Sequence, residues 1–381
     1  MKKTRLLLVL WICLCGQILA QPLARSGTEA KDYERLGLKP NQVELWEDGM
    51  RTSGKRNTYE WWYFDVILKD SSKLVVVFYT KPLAETVFED IKPYITIIYT
   101  DKNGKRLLNE EYYSAPQDYA ISKEKCEVRF GNNYCRGDLS KYEIHLNTKN
   151  IQADIQLLGE IPAWRPATGH LFFGKKEQDY FAWLPSVPKG KATGSMKIQG
   201  QTIAIEGSGY HDHNWGNRVI SDLMEYWYWS RTEIGEYTVI ASQIYAKKKY
   251  GGQAFPIFFV AKGDKVVAEN GDFMKFKGKE EEVDSVNKKL ILKDLTFAYQ
   301  KEEDSYTLHL EQKRYIHKAA FVDIVKKWQR VLLKAIRLNP TYYRMEGKVT
   351  LETQTPTNTE NIQGGGIWEL FYLGNWKASK K

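Results

Sequence analysis

The chain has 381 residues, 43% of them hydrophobic, and a formal net charge of +9. This length is too great for one ordinary domain and comfortable for two. The basic excess is concentrated in residues 318–337, where lysines and arginines face Asp323 alone. A distributed basic surface is therefore absent, and without an RNA- or DNA-binding motif the sequence predicts no nucleic-acid partner.

The first twenty residues have the pattern of a cleaved signal peptide. Lys2, Lys3 and Arg5 precede an apolar run that is too short to span a bilayer comfortably, and the small residue Ala20 stands at the predicted cleavage point. We therefore expect a periplasmic or secreted protein whose mature chain begins near Gln21.

Cleavage there leaves two cysteines, Cys126 and Cys135, on either side of a predicted turn between two strand-like runs. In an oxidising compartment this spacing favours a disulfide across the hairpin. Two unpaired thiols are the alternative.

Beyond Thr58 the sequence consists of short runs rich in aromatic and β-branched residues, separated by turn residues. Strands are predicted at residues 58–68, 73–80, 93–100, 106–113, 142–147, 151–158, 201–206, 225–231, 236–245, 253–261, 290–299, 305–312, 342–353 and 366–373. Their number and spacing indicate an all-β fold of antiparallel sandwiches or barrels. We place an N-terminal extension at 21–57, a first domain at 58–218 and a second at 219–381.

One segment interrupts this pattern. Residues 317–338 contain no glycine or proline and end before Asn339-Pro340, which predicts one long amphipathic helix. Its basic side, within residues 318–337, is either solvated while the helix packs on a barrel, or a contact with a membrane surface.

The first unusual motif is Glu60-Trp61-Trp62-Tyr63-Phe64-Asp65. Strand alternation places Glu60 and Trp62 on one face and Trp61 and Tyr63 on the other. The tryptophans could fill a core or line a ligand pocket. Glu60, held among indoles, is a candidate proton donor because desolvation raises the pKa of a carboxyl group.

The second motif is the run from Gly207 to Gly216, which contains His211, Asp212 and His213. A third metal ligand at a recognisable spacing is missing, so we predict no metal. Ser208 is not part of the Gly-x-Ser-x-Gly turn of a nucleophilic serine, because the residue two positions before it is Glu206. Two interpretations stay open: a proton-transfer site in which a histidine assists Asp212, or a structural hydrogen-bond network.

The third motif, residues 225–231, places aromatic side chains on both faces of a strand. Trp227 and Trp229 could pack in a core, or they could form the walls of a site for a flat apolar molecule and stabilise a carbocation. Neither a dinucleotide-binding glycine motif nor a phosphate loop occurs, so we predict no cofactor.

Together, Glu60-Trp61-Trp62-Tyr63, Pro162-Ala163-Trp164-Arg165-Pro166 and Tyr210-His211-Asp212-His213-Asn214-Trp215-Gly216 resemble the AttH/CrtC family. That family includes bacterial carotenoid 1,2-hydratases and is related to fungal Diels–Alderase-type pericyclases. The resemblance implies two lipocalin-like barrels with a hydrophobic pocket near their interface. It also implies an acid that protonates a C=C bond, although residues 236–245 lack the Asp that the hydratases carry there.

We therefore expect an exported protein that binds an isoprenoid, polyene or lipid, with hydration, isomerisation or cyclisation of a C=C bond as the hypothesis for its activity. A non-catalytic lipid carrier is the alternative. The predicted catalytic residues are Asp212, His211, His213 and Glu60, and the predicted ligand-binding residues are Trp62, Tyr210, Asn214, Trp215, Trp227 and Trp229.

Overall fold

We analysed a computed structural model of the protein, which describes residues 23–320, 330–331 and 339–374. The described chain forms two antiparallel β-sheets, one of thirteen strands and one of nine. The all-β prediction and the lipocalin-like two-sheet architecture are confirmed. No helix among the described residues has the length and hydropathy to cross a membrane.

The first sheet contains β1 (Ala24–Ser26), β2 (Tyr59–Leu68), β3 (Lys73–Tyr79), β4 (Tyr94–Thr100), β5 (Arg106–Tyr113), β6 (Tyr119–Ile121), β7 (Glu127–Phe130), β8 (Asn133–Gly137), β9 (Lys141–Asn147), β10 (Ile151–Gly159), β11 (His170–Phe173), β12 (Asp179–Ile198) and β13 (Gln201–Gly216). Its main order is β5-β4-β3-β2-β13-β12-β10-β9-β8-β7-β6, and β1 joins β12 through β11. Two long strands, β12 and β13, therefore lie at its centre.

The second sheet contains β14 (Met224–Ile234), β15 (Tyr237–Ala246), β16 (Ala254–Lys262), β17 (Lys265–Glu269), β18 (Met274–Val283), β19 (Leu290–Lys301), β20 (Asp304–Ala320), β21 (Thr341–Thr355) and β22 (Asn358–Tyr372), in the order β17-β16-β15-β14-β22-β21-β20-β19-β18. Within residues 23–320 and 339–374 the helices are short: α1 (Ala30–Leu36), α2 (Ile220–Leu223) and single 3-10 turns at Leu45–Asp48, Leu83–Glu85, Lys248–Tyr250 and Gly271–Phe273.

Each sheet has its own hydrophobic core, and a third hydrophobic cluster joins the two sheets. This third cluster combines side chains of the first sheet, such as Tyr59 and Trp183, with side chains of the second, such as Ile244 and Phe259. The part of the contact between the sheets formed by this cluster is apolar, and the candidate site lies there.

Strand β12 was missed by the strand prediction. It contains Pro185 and Pro188, which interrupt the sequence pattern of a strand, and its pairing with β13 shifts register between Leu184 and Val187 and again before Gly190. Proline lacks the N–H that a regular ladder needs, but bulges tolerate it. The bulges allow one continuous strand where the composition indicates a break.

The predicted helix at 317–338 is wrong at its start. Residues 317–320 belong to β20, where His317 pairs with Arg344 and Ala320 with Thr341. Long-range pairing with β21 stabilises an extended conformation there, whatever the local helix propensity. Arg330 and Val331 are helical, and the rest of the predicted helix, with most of its basic side, lies outside the described residues.

The structure does not show the predicted disulfide. Cys126 and Cys135 are buried free cysteines whose Sγ atoms lie 4.0 Å apart, about twice the length of an S–S bond. Cys135 pairs with Val128 in the β7–β8 ladder, so Cys126 is two positions away along the strand and not directly opposite. The diagonal register separates the sulfur atoms.

The segment before β2 packs onto the first sheet. Arg25 binds Asp32 through two hydrogen bonds of 2.6 and 2.8 Å and also pairs with Glu177. The 3-10 turn at Leu45–Asp48 inserts two buried carboxylates, Glu47 and Asp48, beneath the central strands. These residues complete a buried polar cluster described below.

Candidate active site

The candidate site is a cavity between the two sheets. Strands β2, β12 and β13 form one wall, and β14, β15, β16 and β22 form the other. The cavity has an empty volume of about 640 Å³, part of it open to solvent, and we call it the inner chamber. It is lined mainly by aromatic and aliphatic groups: Trp61, Tyr63, Phe181, Trp183, Asp212, Asn214, Trp227, Trp229, Ser242, Ile244, Ile257 and Glu369. Such a surface suits a hydrophobic ligand.

Asp212 is one of two carboxyl groups in this lining. Its Oδ2 accepts hydrogen bonds from Trp183 Nε1 at 2.7 Å and from the Tyr210 hydroxyl at 2.8 Å, and its Oδ1 accepts from Asn214 Nδ2 at 2.7 Å. Burial raises the pKa of Asp212 to about 6, although these three donors favour the ionised form. The group is therefore oriented and available in its protonated form near neutral pH.

Glu369, on β22, is the second carboxyl group facing the inner chamber. Burial raises its pKa, against the charge of Arg344 and a hydrogen bond from the Tyr342 hydroxyl. The Arg344 guanidinium lies 3.9 Å away. One chamber of aromatic walls thus holds two carboxyl groups contributed by different sheets.

The two predicted catalytic histidines point away from this chamber. In the extended strand β13, neighbouring side chains project to opposite faces, so Asp212 faces the chamber while His211 and His213 face the first core. His211 stacks on Phe64 and His213 on Trp62. The prediction that a histidine assists Asp212 is therefore wrong, because the strand itself separates them.

His211 belongs to a buried ion pair. Its Nδ1 donates to the Tyr63 carbonyl at 2.9 Å and its Nε2 donates to Asp48 Oδ2 at 3.1 Å. Burial would lower the pKa of His211, but the charge of Asp48 and its hydrogen bond outweigh this and raise the pKa to about 10. Tyr142 donates a further hydrogen bond to Asp48 at 2.5 Å. This pair holds the N-terminal segment against β13.

Glu60, the alternative predicted acid, is also part of this buried polar cluster. Its carboxylate accepts from the backbone N–H groups of Arg51 and Thr52 at 2.6 and 2.9 Å, from the Thr52 hydroxyl at 2.8 Å and from His213 Nε2 at 2.8 Å. It is 1% exposed. These four donors satisfy the carboxylate and fix the chain before β2, so Glu60 has a structural environment and does not line the inner chamber.

The predicted ligand-binding residues divide in the same way. Trp227, Trp229 and Asn214 line the chamber. Tyr210 is fully buried and lies behind the wall, where it holds Asp212. Trp62 belongs to the first core and donates Nε1 to the Asp48 carbonyl at 2.9 Å.

Trp215 lies away from the inner chamber and packs between His213 and His170. The prediction that Trp62 and Trp215 line the ligand pocket is therefore wrong. In both cases the alternation along the strand turns the indole to the opposite face from Asp212.

Asp48, Cys126 and His211 are the described residues whose positions suit a metal ion, with one ligand atom from each lying within 4.8 Å of the others. The sequence prediction of no metal did not include Asp48 or Cys126 as candidates. As they stand, His211 and Asp48 bind each other, and burial raises the pKa of the Cys126 thiol well above its usual value. The Cys126 thiol is therefore protonated, and the other two groups are bound to each other.

Eight chamber residues were not predicted, among them Trp61, Tyr63, Trp183 and Glu369. Trp61 and Tyr63 belong to the first motif, but they lie on the strand face from which no site residue was predicted. Trp183 is in the strand that was missed. Glu369 follows Trp368 in the C-terminal strand, and nothing local in the sequence distinguishes it from an exposed glutamate.

Two antiparallel sheets with an aromatic, carboxyl-bearing chamber between them define the class of this protein as a two-sheet β protein with an internal chamber. The family model described as Diels-Alderase-like matches residues 51–275, more than half of the chain, and the protein belongs to this family. The resemblance recognised in the sequence is thereby confirmed.

Two curated relatives are similar over part of the chain. The quinolone epoxide rearrangement protein of Penicillium thymicola is 21% identical over 198 residues, which cover 48% of this chain and 54% of that protein. The hydroxyneurosporene dehydrogenase of Chlorobaculum tepidum is 26% identical over 211 residues, which cover 46% and 53%. The chain thus spans about half the length of the curated relatives it matches.

Solved structures share the fold. CghA with Sch210972 has a TM-score of 0.58 at 12% identity and covers 88% of this chain and 97% of its own. A putative AttH from Nitrosomonas europaea has a TM-score of 0.57 at 12% identity, with coverage of 87% and 98%. Kievitone hydratase from Nectria haematococca has a TM-score of 0.51 at 16% identity, with coverage of 93% and 98%.

Proposed function

We propose that this protein is an enzyme that protonates a C=C bond of a hydrophobic small molecule bound in the inner chamber, with Asp212 as the acid. The observation that carries the proposal is a buried carboxyl group, held by three donors, on the wall of an aromatic chamber. A general acid works best when its pKa lies near the working pH, and the pKa of Asp212 is about 6.

The surrounding side chains suit the charge that protonation creates. When the Asp212 proton is transferred to one alkene carbon, the other carbon becomes a cation. The indole faces of Trp61, Trp227 and Trp229 attract such a cation, an effect worth about 0.5–2 kcal/mol for each favourable contact. Cation stabilisation by a neutral π-face needs no second buried charge.

Glu369 supplies the complementary function. In a hydration, water bonds to the cation and loses a proton, and an ionised Glu369 accepts that proton while Asp212 remains as the carboxylate. Proton exchange with solvent then restores both groups. In an isomerisation or cyclisation, the same base removes a proton from a carbon next to the cation. The names of the relatives, which include a hydratase and a rearrangement protein, support chemistry of this kind.

The test is turnover of an isoprenoid and polyene panel in D2O, with products analysed by mass spectrometry. We expect each product to carry one deuterium on carbon. In Asp212→Asn we expect turnover to be lost while ligand affinity stays within about threefold of the wild-type value. Binding measured by quenching of tryptophan fluorescence, without any product in wild type, would instead indicate a carrier.

We also propose that the protein is exported, on the basis of the basic, apolar and small-residue pattern of residues 1–20. N-terminal sequencing of the protein from its own cells tests this. A mature chain that begins near Gln21 supports export, and an intact Met1 in the cytoplasmic fraction contradicts it.

A further inference from the structure

A second chamber lies next to the inner one. It has an empty volume of about 1280 Å³, part of it open to solvent, and we call it the outer chamber. Four side chains line both chambers and form the partition between them: Phe181, Trp183, Ile244 and Ile257. The two chambers are therefore adjacent, and a ligand longer than the inner chamber would have to pass these four side chains to reach the outer one.

The outer chamber differs from the inner one in chemistry. Its charged lining residues are balanced in sign, with Arg165 and Lys301 against Glu269 and Asp272. Arg165 is already occupied, since it donates to Glu47 at 2.8 Å and to the Lys39 carbonyl at 2.7 Å. The other charged residues of the lining are one lysine, Lys301, and two carboxylates, Glu269 and Asp272, so the lining does not favour an anion, and a polar but uncharged group fits it.

Hydrogen-bond acceptors are available in this chamber. Nδ1 of His170 lies 2.8 Å from the Thr168 carbonyl, which can only accept, so Nδ1 carries the proton and Nε2 is an acceptor. Burial lowers the pKa of His170 to about 4, so the ring is neutral at physiological pH. Glu269, exposed at the chamber wall, accepts from Trp164 Nε1 through Oε2 and keeps Oε1 as a further acceptor. A hydroxyl group is the donor that these acceptors suit.

A continuous row of contacts joins the two chambers. Asp212 binds Nε1 of Trp183 in the inner chamber. Trp183 meets Trp164 edge to face, with ring centroids 6.1 Å apart, and Trp164 binds Glu269 in the outer chamber. The two indoles thus form one apolar wall that runs from the acid to the polar acceptors.

We propose that the outer chamber is a second subsite for the same ligand, and that it binds the hydroxyl-bearing end of an elongated, uncharged amphiphile whose apolar end lies beside Asp212. This inference rests on the proposed function and adds the substrate class to it. The N-terminal segment takes part, because Thr28, Tyr33 and Asn41 line the outer chamber.

The test measures binding of geraniol, farnesol, phytol and the hydrocarbon phytane by quenching of tryptophan fluorescence. For wild type, affinity should rise with the length of the alcohol, and phytol should bind about tenfold more tightly than phytane, as expected for one buried hydrogen bond. Asn41→Phe fills the outer chamber from an exposed position, and Asn41→Ala is the matched control.

Asn41→Phe should weaken phytol binding at least tenfold while geraniol binding stays within about twofold, and Asn41→Ala should change neither. Glu269→Leu should lower the preference for phytol over phytane, whereas Glu269→Gln, which keeps a carbonyl acceptor, should retain most of it. Equal phytol affinity in wild type and Asn41→Phe, with geraniol still bound, would overturn the outer subsite alone. If none of the alcohols binds wild type, both this inference and the proposed function are overturned.

Discussion

Nε1 of Trp183 donates a 2.7 Å hydrogen bond to Oδ2 of Asp212 from the neighbouring strand, and the same indole forms part of the partition between the two chambers. One side chain therefore orients the proposed acid and shapes the space for its substrate. The strand that carries Trp183 contains two prolines and two bulges, which set the local register opposite Asp212. The functional geometry depends on this irregular strand.

We expect turnover to depend on the protonated form of Asp212. Because burial raises its pKa to about 6, the rate should fall about tenfold per pH unit above that pH, and it should fall again at lower pH, where Glu369, whose pKa burial also raises, loses its ionised form. Trp183→Phe removes a donor that favours the carboxylate of Asp212, so the fall above pH 6 should move to higher pH. A pH–rate profile of each variant checks this, and an unchanged midpoint in Trp183→Phe would contradict the role assigned to the indole.

Glu369→Gln tests the proposed base. The amide keeps the shape of the side chain and an acceptor for the Tyr342 hydroxyl, but it cannot take up a proton. We expect turnover to fall about a hundredfold with ligand affinity little changed, the usual contribution of general acid–base catalysis. The comparison is made by steady-state kinetics beside fluorescence binding. Glu360→Gln, on the same strand but outside the chamber lining, serves as the control, and equal rates for both variants would argue against Glu369.

The His211–Asp48 pair makes stability depend on pH. The pKa of His211 is raised from 6.5 to about 10 in the folded protein, so its stabilising contribution is complete below pH 6.5 and is lost as the pH rises towards 10. Denaturant titrations from pH 6 to 10 should show a falling free energy of unfolding in wild type. His211→Phe should be less stable at pH 6 and show a flatter profile. A parallel profile in the variant would mean that another group titrates.

Glu60→Ala should destabilise the fold without a direct effect on chemistry. It leaves the N–H groups of Arg51 and Thr52 and the ring of His213 without their buried acceptor, a loss of about 3–5 kcal/mol. Glu206→Ala, which removes an exposed carboxylate on β13, is the control and should leave the free energy of unfolding nearly unchanged. Chemical denaturation measures both, and limited proteolysis should cut the Glu60→Ala variant first within residues 39–57. Equal stability would contradict an anchoring role for Glu60.

Much of the fold could be predicted from the sequence, because runs of aromatic and β-branched residues between turn residues indicate strands locally. Alternation in Glu60–Asp65 separates Trp62 from Trp61 correctly, and the structure confirms that their side chains enter different environments. The same rule places His211 and Asp212 on opposite faces, which agrees with the structure. Local pattern fails in two places, at strand β12 and at residues 317–320 of β20. Pairing with distant residues decides the structure there and overrides the local composition.

By itself, the sequence determined the all-β class, the family and the residue types of the central motif, since these depend on local pattern and composition. Only the tertiary structure decided which face of each strand meets the inner chamber. Asp48 reaches His211 across 163 positions of the chain, and Glu369 faces the chamber of Asp212 from the other sheet. The physical reason is that alternation divides a strand into two faces, whereas only the packing of distant segments determines what each face contacts.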